Sequence, residues 1–204
     1  MSKADLTKQR IIEKAALIFN QNGYAGASIA DIMRLTGLGK SKIYSYFKSK
    51  DEIAVAAFDY SLGLILAAAM AQVSIQNTAT LRLHAFVDSF RGFTSQPIGT
   101  GGCPILNTAI ESDDTHPILR LHVQSAVNNL RALISSIVEL GIRQGEITVT
   151  TDHEQVSTIL LVTIEGAIMM SKLYGNDVYL DRAIDHLHQY INGLSMPNKK
   201  TAAS

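Results

Sequence analysis

Apolar residues recur every three or four positions along most of this 204-residue chain, the spacing that lets a helix bury one face. Thr7–Asn22 shows the pattern clearly, with Ile12, Ala15, Ala16 and Phe19 at helical spacing. No segment shows the sustained alternation of apolar and polar residues that is expected of a half-buried strand. The pattern therefore predicts an all-α fold of about nine helices with no sheet.

Capping residues and helix breakers set the expected helix bounds. Asn22-Gly23 supplies a stop after the first helix, Ser28 suits an N-cap, and Pro117 suits a first helical position. The Gly-rich stretch Gln96–Cys103 is expected to be a loop. The predicted helices are Thr7–Asn22, Ile29–Leu35, Gly39–Tyr46, a long helix capped at Ser49, Thr78–Thr94, Pro104–Glu111, Pro117–Gln144, Asp152–Tyr174 and Val178–Leu194.

Composition excludes several classes of protein. Hydrophobic residues make up 47% and charged residues 18% of the chain, which argues against intrinsic disorder. A single cysteine cannot form an internal disulfide or a cysteine-based zinc site. The polar N-terminus has no apolar signal core, and the longest apolar stretches, Leu62–Ala71 and Ile159–Ile164, are too short to span a bilayer. We therefore expect a cytoplasmic protein with no membrane partner.

The net charge of zero conceals an uneven distribution of charge along the chain. The first fifty residues carry nine lysines and arginines against three carboxylates, a charge of +6, so the remaining residues carry −6. A basic segment joined to an acidic body is typical of a protein that binds a polyanion such as nucleic acid. A solvated basic face on a small subdomain would give the same counts, so charge alone leaves both interpretations open.

Residues 39–47, Gly-Lys-Ser-Lys-Ile-Tyr-Ser-Tyr-Phe, form the second of two short predicted helices, which are separated by a turn at Gly37. Two such helices behind a packing helix make a helix-turn-helix unit. Ile43 and Phe47 lie four residues apart and can anchor the second helix to a small core. A generic helical hairpin is the alternative, but the outward side chains include no acid and are rich in groups that bind phosphates and base edges. These side chains are Lys40, Ser41, Lys42, Tyr44, Ser45 and Tyr46.

A wider motif runs through the same region. Its residues are Gly23-Tyr24-x-x-Ala27-Ser28-Ile29-x-x-Ile32, then Gly37-Leu38, then Ile43-Tyr44-x-Tyr46-Phe47-x-Ser49-Lys50-Asp51-x-Ile53. With the packing helix included, residues 7–53 resemble the DNA-binding domain of TetR-family bacterial repressors. The resemblance implies a DNA-binding domain at residues 1–50 and a ligand-binding and dimerisation domain at 51–195. The sequence beyond the last predicted helix indicates a flexible tail at 196–204.

The resemblance also implies roles for single residues. Lys40 and Lys42 match positions that reach base edges or nearby phosphates. Ser28, at a helix N-terminus, can place backbone donors against a phosphate. The ring of Tyr44 can alternatively pack on the first helix. The residues that match positions touching the sugar-phosphate backbone are Tyr44, Tyr46 and Lys50.

The last two predicted helices carry abundant apolar surface. Asp152–Tyr174 is apolar on more than one face, and a helix of that kind is buried on several sides. The resemblance implies a two-fold homodimer built from these helices as a four-helix bundle, and a palindromic operator follows from the symmetry. Alternatively, the two helices only complete a monomer core. The expected interface residues are Val156, Ile159, Leu160, Gly166, Ala167, Ile184, Leu187 and Ile191.

Aromatic and methionine side chains of the C-terminal body can line an apolar effector cavity, although such residues more often form ordinary core. Cys103, just before a predicted helix, is either a buried small hydrophobe or a reactive thiol that senses electrophiles. His186-Leu187-His188 is not expected to bind a metal, because these histidines point apart on a helix. The candidate effector-site residues are His84, Phe86, Phe90, Phe93, Cys103, Glu165, Met169 and Met170.

The sequence shows no catalytic set, phosphate loop or cofactor motif. We therefore predict a non-enzymatic transcriptional repressor, without a cofactor, that binds a palindromic operator as a homodimer and is released by a small molecule. One alternative is a helical small-molecule-binding protein or enzyme of the same fold without operator binding. The other is a repressor that is switched by modification of Cys103.

Overall fold

The structure is a computed structural model that describes residues 2–112, 114 and 116–195. Across these residues the chain forms nine α-helices and two short 3-10 helices, with only an isolated bridge between Ile147 and Ser195 in place of a sheet. The all-α prediction is confirmed, whereas the predicted tail at 196–204 lies outside the described residues. The helices are α1 (Lys3–Gly26), α2 (Ile29–Thr36), α3 (Lys40–Tyr44), α4 (Lys50–Val73), α5 (Ala79–Asp88), α6 (Pro104–Ser112), α7 (Pro117–Arg143), α8 (His153–Tyr174) and α9 (Val178–Leu194).

Helix α1 is longer than the apolar spacing predicts at both ends. It starts four residues earlier because Ser2 and Asp5 form a reciprocal capping box. The predicted break at Gly23 is present, with φ +74° and ψ 173°, but the helix resumes for one more turn and ends at Gly26. The chain therefore has a bend, rather than a helix end, just before Tyr24.

The first compact unit comprises the described residues of Met1–Leu66 and Thr94–Val127. Helices α1, α2, α3 and the beginning of α4 share one apolar core. A capping box between Ser28 and Asp31 begins α2, and Gly37 ends it in the left-handed conformation with φ +68°. The predicted domain boundary at residue 50 falls inside this unit, because α4 continues the same packing. Its core residues include Ile11, Ala15, Ile32, Ile43, Phe47, Ile53 and Ala57.

The second compact unit comprises the described residues of Ala67–Phe93 and Asn128–Ser204. Helix α9 packs against both α8 and α5. Gly175 ends α8 in the left-handed conformation, and the Ser171 hydroxyl accepts a hydrogen bond from the Leu180 N–H in the first turns of α9. This bond ties the two helices together at the turn that joins them. Apolar residues buried along α8 and α9 are Val156, Leu160, Ile164, Ala167, Ile168, Leu180, Ile184, Leu187 and Ile191.

Helix α5 is shorter than the predicted segment Thr78–Thr94. Thr78 caps it as the sequence suggests, but the helix ends at Asp88 and a turn follows, in which Gly92 has φ +68°. Phe93 then begins a 3-10 helix. The apolar spacing continues through the turn because Phe90 and Phe93 still face the interior.

Two helices, α4 and α8, are long and apolar enough by length and composition to cross a bilayer, contrary to the estimate from the apolar stretches alone. In each, 39% of the most apolar window is buried inside the fold. Core helices of soluble proteins meet the same length and composition criteria. Ile53 and Ala57 of α4 and Leu160 and Ile164 of α8 are buried in the protein interior, and we interpret both as core helices.

Candidate nucleic-acid interface

Helix α3 presents a polar, basic face because two apolar anchors fix its rotation. Ile43 and Phe47 are fully buried in the core of the first unit. Around them the helix leaves a row of exposed side chains without an acidic member. The exposed predicted contacts are Lys40, Ser41, Lys42, Tyr44 and Ser45. Their donors suit both phosphate oxygens and base edges in a major groove.

Tyr46 is placed differently from the other predicted contacts. Its side chain is half-buried and packs against the core of the first unit. The Lys42 ammonium lies 5.0 Å from the centroid of the Tyr46 ring, within cation–π range. This contact restricts where the Lys42 charge is presented.

Ser28 is exposed, but its polar groups already have partners. Its hydroxyl accepts from the Asp31 N–H at 3.2 Å and donates to the Asp31 carboxylate at 2.6 Å, while its own N–H donates to the same carboxylate at 3.1 Å. These Ser28 hydrogen bonds hold the pKa of Asp31 below its usual range. The ionised Asp31 carboxylate therefore already occupies the Ser28 N–H and hydroxyl at the start of α2, and the contact of Ser28 with a phosphate stays a prediction.

Lys50, at the start of α4, contacts the end of α1. Its ammonium donates to the Tyr24 carbonyl at 2.6 Å and lies 4.2 Å from the centroid of the Tyr24 ring. The side chain is half-buried. Lys50 therefore joins α1 to α4 in this structure, and its predicted contact with the DNA backbone stays a prediction.

Tyr24 is the centre of a polar junction within the first unit. Its hydroxyl donates to the Asp51 carboxylate, and its ring meets the His116 ring edge to face at 4.5 Å. His116 Nε2 lies 3.4 Å from an Asp51 oxygen, and His116 Nδ1 accepts from the Leu119 N–H in the first turn of α7. Burial, with the Asp51 hydrogen bond, raises the pKa of Tyr24 to about 12, and the same bond lowers the pKa of Asp51.

Glu111 of α6 binds the backbone of α1 at the bend. Its two carboxylate oxygens accept from the Tyr24 N–H at 2.5 Å and the Ala25 N–H at 2.8 Å. The bend at Gly23 exposes these two N–H groups as a new helix start does, and such a start favours an anion. A Cβ atom at position 23 would lie 2.6 Å from the carboxylate, so the approach requires glycine. We call the Glu111 contact with Tyr24 and Ala25 the α6–α1 clasp.

A second contact reinforces the α6–α1 clasp one turn earlier. The Asn107 amide donates to the side-chain oxygen of Asn20 at 3.0 Å and to the Gly101 carbonyl at 2.8 Å. The Asn20 amide donates to the carbonyls of Thr100 and Gly102 at 2.8 and 2.9 Å. The loop before α6 is thus tied to α1 as well, so that a displacement of α6 strains the bonds at the end of α1.

The predicted dimer residues divide into two groups. Six of the eight are buried inside a single chain, so they leave little surface for a partner, and their place in a dimer interface stays a prediction. Ile159 is half-buried and Gly166 is exposed. Other α8 residues form an exposed stripe at helical spacing with Gly166, and these are Thr158, Val162, Met169 and Leu173. The six buried residues are Val156, Leu160, Ala167, Ile184, Leu187 and Ile191.

The predicted effector-site residues do not form one cluster. Phe86, Phe90 and Phe93 are buried and their rings touch in sequence, with centroids 5.5 and 6.0 Å apart. Met169 is exposed on α8, while Glu165 and Met170 are half-buried on the same helix. Cys103 belongs to the first unit and is buried directly before α6. His84 pairs with His188 of α9, a partner that the sequence did not suggest.

The first unit contains a narrow crevice of about 30 Å³ between α1, α4, α6 and α7. None of the predicted effector-site residues lines it. Its walls combine apolar side chains with the polar residues of the α6–α1 contacts. Lining residues include Phe19, Asn20, Tyr24, Phe58, Asn107 and Glu111. Within the described ranges, no group of three or more His, Cys, Asp or Glu side chains is arranged to hold a metal ion.

The sequence pattern does not indicate several residues of this junction. Tyr24 belongs to the motif that carries the family resemblance, so its importance was visible, but its partners were not. Glu111, Asn107 and His116 lie about ninety residues further along the chain, and no local pattern links them to α1. Only co-variation between these positions would reveal such a contact from sequences.

Known proteins match this chain across both compact units. The family model "Bacterial regulatory proteins, tetR family" matches residues 11–57, and "Tetracyclin repressor-like, C-terminal domain" matches residues 79–187. A TetR transcriptional regulator from Chloroflexus aurantiacus J-10-FL is 39% identical, with a TM-score of 0.91, over 96% of this chain and 98% of that one. A TetR-family regulator from Cytophaga hutchinsonii is 34% identical, with a TM-score of 0.89, over 97% and 99%. The fatty acid metabolism regulator protein of Bacillus subtilis (strain 168) is 22% identical over 78% of this chain and 80% of that one.

Proposed function

Because the chain belongs to the TetR family of bacterial transcriptional regulators, we propose that it represses transcription as a cytoplasmic homodimer on a palindromic operator and leaves the operator when a small molecule binds. In this proposal residues 1–50 bind DNA, and residues 51–195 bind the effector and form the dimer. The activity is binding rather than catalysis.

The exposed face of α3 carries the proposal of operator binding. Buried Ile43 and Phe47 fix the helix, and Lys40, Lys42 and Tyr44 remain exposed on a segment with a charge of +6. Such a helix enters a major groove with its charges near phosphates and its polar tips at base edges. A helical ligand-binding protein that does not bind DNA has no physical requirement for this face.

The exposed stripe on α8 supports the proposed dimer. Val162, Met169 and Leu173 are apolar and exposed, and Gly166 between them lets a partner helix approach closely. Two copies related by a two-fold axis would bury this stripe symmetrically. Their recognition helices would then match half-sites one helical turn apart, about 34–36 Å.

We place the control of operator binding at the α6–α1 clasp. An effector that moves α6 must pull the Glu111 carboxylate from the Tyr24 and Ala25 N–H groups, which lie at the end of the helix that supports α3. DNA and effector then weaken each other reciprocally, because each favours a different arrangement of the same contacts. Modification of Cys103 would act at the same helix, but its burial requires α6 to open first.

The decisive experiment is selection of DNA from a random pool by the purified protein. Enrichment of a palindrome with half-sites about one helical turn apart supports the proposal. The Lys42→Ala variant should enrich a different or relaxed base at one position of each half-site, whereas Lys14→Ala, an exposed lysine of α1, should not. Failure of the wild-type protein to enrich any palindrome would favour the same fold without operator binding.

The identity of the trigger is tested separately. Candidate apolar ligands and electrophiles are titrated against the operator complex of the wild-type protein and of Cys103→Ser. Release that persists in Cys103→Ser identifies a reversible effector site. Release by electrophiles that disappears in Cys103→Ser identifies the thiol as the trigger.

A further inference from the structure

His84 of α5 and His188 of α9 meet through their Nδ1 atoms, which are hydrogen-bonded to each other. The ring centroids lie 4.6 Å apart and the ring planes differ by 17°. A hydrogen bond between two ring nitrogens needs one N–H and one lone pair. The contact therefore holds a single hydrogen between the rings. Two lone pairs, or two N–H groups, would repel.

The outer nitrogens of the two rings show which ring can accept a further proton. His188 Nε2 lies 2.9 Å from an Asp88 oxygen, and an ionised carboxylate only accepts, so His188 carries its hydrogen at Nε2. His84 Nε2 lies 3.1 Å from the Asn192 side-chain amide, which can present either its oxygen or its NH₂ group. His84 can thus be neutral or charged with the contact intact. A proton on His188 Nδ1 breaks the contact.

Asp88, which contacts His188, also belongs to a cluster of charged groups that joins the end of α5 to α9. Arg91, just after α5, lies 3.5 Å from Asp88, 3.2 Å from Asp181 and 3.0 Å from Asp185, the last two on α9. The Asp88 carboxylate places a negative charge beside the pair, which favours one positive charge on it. Burial, with a smaller contribution from the His188 charge, lowers the pKa of His84 and so opposes the doubly charged state.

We propose that His84 and His188 form a proton-operated contact between α5 and α9, closed while one hydrogen is shared and opened when both rings are protonated. This role is additional to the regulation of transcription and does not depend on DNA or on an effector. The protons come from solvent, which reaches both partly exposed side chains. Opening removes the hydrogen bond between the two rings, which joins α5 to α9.

The proposal predicts how stability depends on pH. In the unfolded chain each histidine titrates near its ordinary pKa of about 6.5. In the folded chain the closed pair holds at most one added proton, so the unfolded chain binds one more proton at acidic pH. A histidine pKa that is lowered on folding gives stability that is present above the ordinary value and is lost as the pH falls. One extra proton corresponds to about a tenfold fall in the folded-to-unfolded ratio per pH unit.

The test is urea unfolding of the full chain at fixed protein concentration between pH 7.5 and 5.0. His188→Gln and His84→Gln leave one histidine that titrates alone, and each should lack this extra tenfold dependence between pH 6 and 5. His186→Gln, at an exposed position of the same helix, should keep the wild-type dependence. Asp181 and Asp185 are present in all four proteins, and His84→Gln also keeps the contact between Asp88 and His188, so the loss of the extra dependence in this variant is not due to Asp88. Equal pH dependences in wild type and His188→Gln would overturn the proposal.

Nitrogen NMR of the wild-type imidazoles tests the contact without any variant. The proposal expects one hydrogen between the two Nδ1 atoms at pH 7.5 and a second protonation of the pair well below pH 6.5. Two rings that titrate independently near pH 6.5 would overturn it. Zn²⁺ that stabilises wild type but not His188→Gln at pH 7.5 would also overturn it, because a metal ion would then occupy the place of the shared hydrogen.

Discussion

Gly23 and Gly37 both have a positive φ, but they differ in ψ and in their surroundings. The ψ angle is 173° at Gly23, in an extended region that is essentially restricted to glycine, and 15° at Gly37, in the left-handed helical region. Their φ angles are +74° and +68°, yet a Cβ atom would lie 2.6 Å from the Glu111 carboxylate at Gly23 and would meet nothing within 4 Å at Gly37. Alanine should cost about 1–2 kcal/mol at Gly37 for the left-handed backbone and about 1–3 kcal/mol at Gly23 for its glycine-only backbone. Gly23→Ala should cost at least about 1.5 kcal/mol more, because it also displaces a charged hydrogen-bond acceptor. Urea unfolding of both variants measures the difference, and equal losses would contradict the clasp geometry.

Glu111 itself can be tested by a change that keeps its shape. Glu111→Gln retains one acceptor oxygen in place of two and loses the charge, so the free energy of unfolding should fall by about 1–2 kcal/mol. Operator affinity should fall as well, since the end of α1 supports Tyr24 and Lys50. Glu13→Gln, an exposed position on α1, makes the same change of charge. Equal operator affinities for the two variants would remove the α6–α1 clasp from the control of DNA binding.

The raised pKa of Tyr24 predicts how the stability of the protein changes at alkaline pH. Its folded pKa of about 12 is above the ordinary value of 10, so its contribution to stability is complete below pH 10 and is lost as the pH rises toward 12. Wild type should be more stable than Tyr24→Phe at pH 8, and the gap should narrow above pH 10. Unfolding by urea at pH 8, 10 and 11 measures this, with Tyr44→Phe, an exposed tyrosine of α3, as the control. A gap that stays constant to pH 11 would show that the hydroxyl of Tyr24 does not make the bond to Asp51.

At the scale of elements, the proposed dimer depends on the outer face of α8. Val162 is 59% exposed in one chain and should be buried in the dimer, so Val162→Glu should shift the protein to monomers in sedimentation. Val149, which is 76% exposed outside the helix, provides a matched control, and Val149→Glu should sediment as wild type. Leu187 is unsuitable for this test, because it is fully buried and a charge there would unfold the chain. A dimer that survives Val162→Glu would place the interface elsewhere.

The helices were predictable where their signals are local. Ser28, Pro117 and Gly175 mark helix ends through capping and backbone conformation that depend on neighbouring residues only. The end of α5 was not predicted, because Phe90 and Phe93 keep facing the interior after the helix has become a turn. Apolar spacing reports which side of the chain is buried, and it does not distinguish a helix from turns that follow the same surface.

The candidate site was also predictable only where its signals are local. The anchors and exposed residues of α3 follow from helical spacing around Ile43 and Phe47. The dimer residues do not follow from helical spacing. Helices α8 and α9 bury apolar faces against each other, and the spacing does not distinguish a face that meets a neighbouring helix from one that meets a partner subunit. The role of Glu111 could not be predicted from local spacing, because its partner Tyr24 lies 87 residues away in the chain.

At the scale of the whole molecule, the chain has no net charge, but its first fifty residues are strongly basic. A dimer brings two such segments, each with a charge of +6, to one duplex. Operator affinity should therefore fall steeply with salt. Lys50→Ala should reduce the slope of log affinity against log salt by about one if Lys50 leaves the Tyr24 carbonyl for a phosphate on binding. Lys14→Ala supplies the control, and an unchanged slope with lower stability would assign Lys50 to the folded structure alone.

Cys103 offers a chemical probe of the segment before α6, because the sequence has a single cysteine and that cysteine is buried. It is the single cysteine of the sequence and only 5% of its surface is exposed, directly before the first turn of α6. An aromatic disulfide reagent can react only when this segment opens, so the rate of colour development reports the opening kinetics of one defined place without any engineered label. Comparing that rate with and without operator DNA would time the loosening of α6 in the native protein, and a chromophore or spin label attached there would follow it in real time.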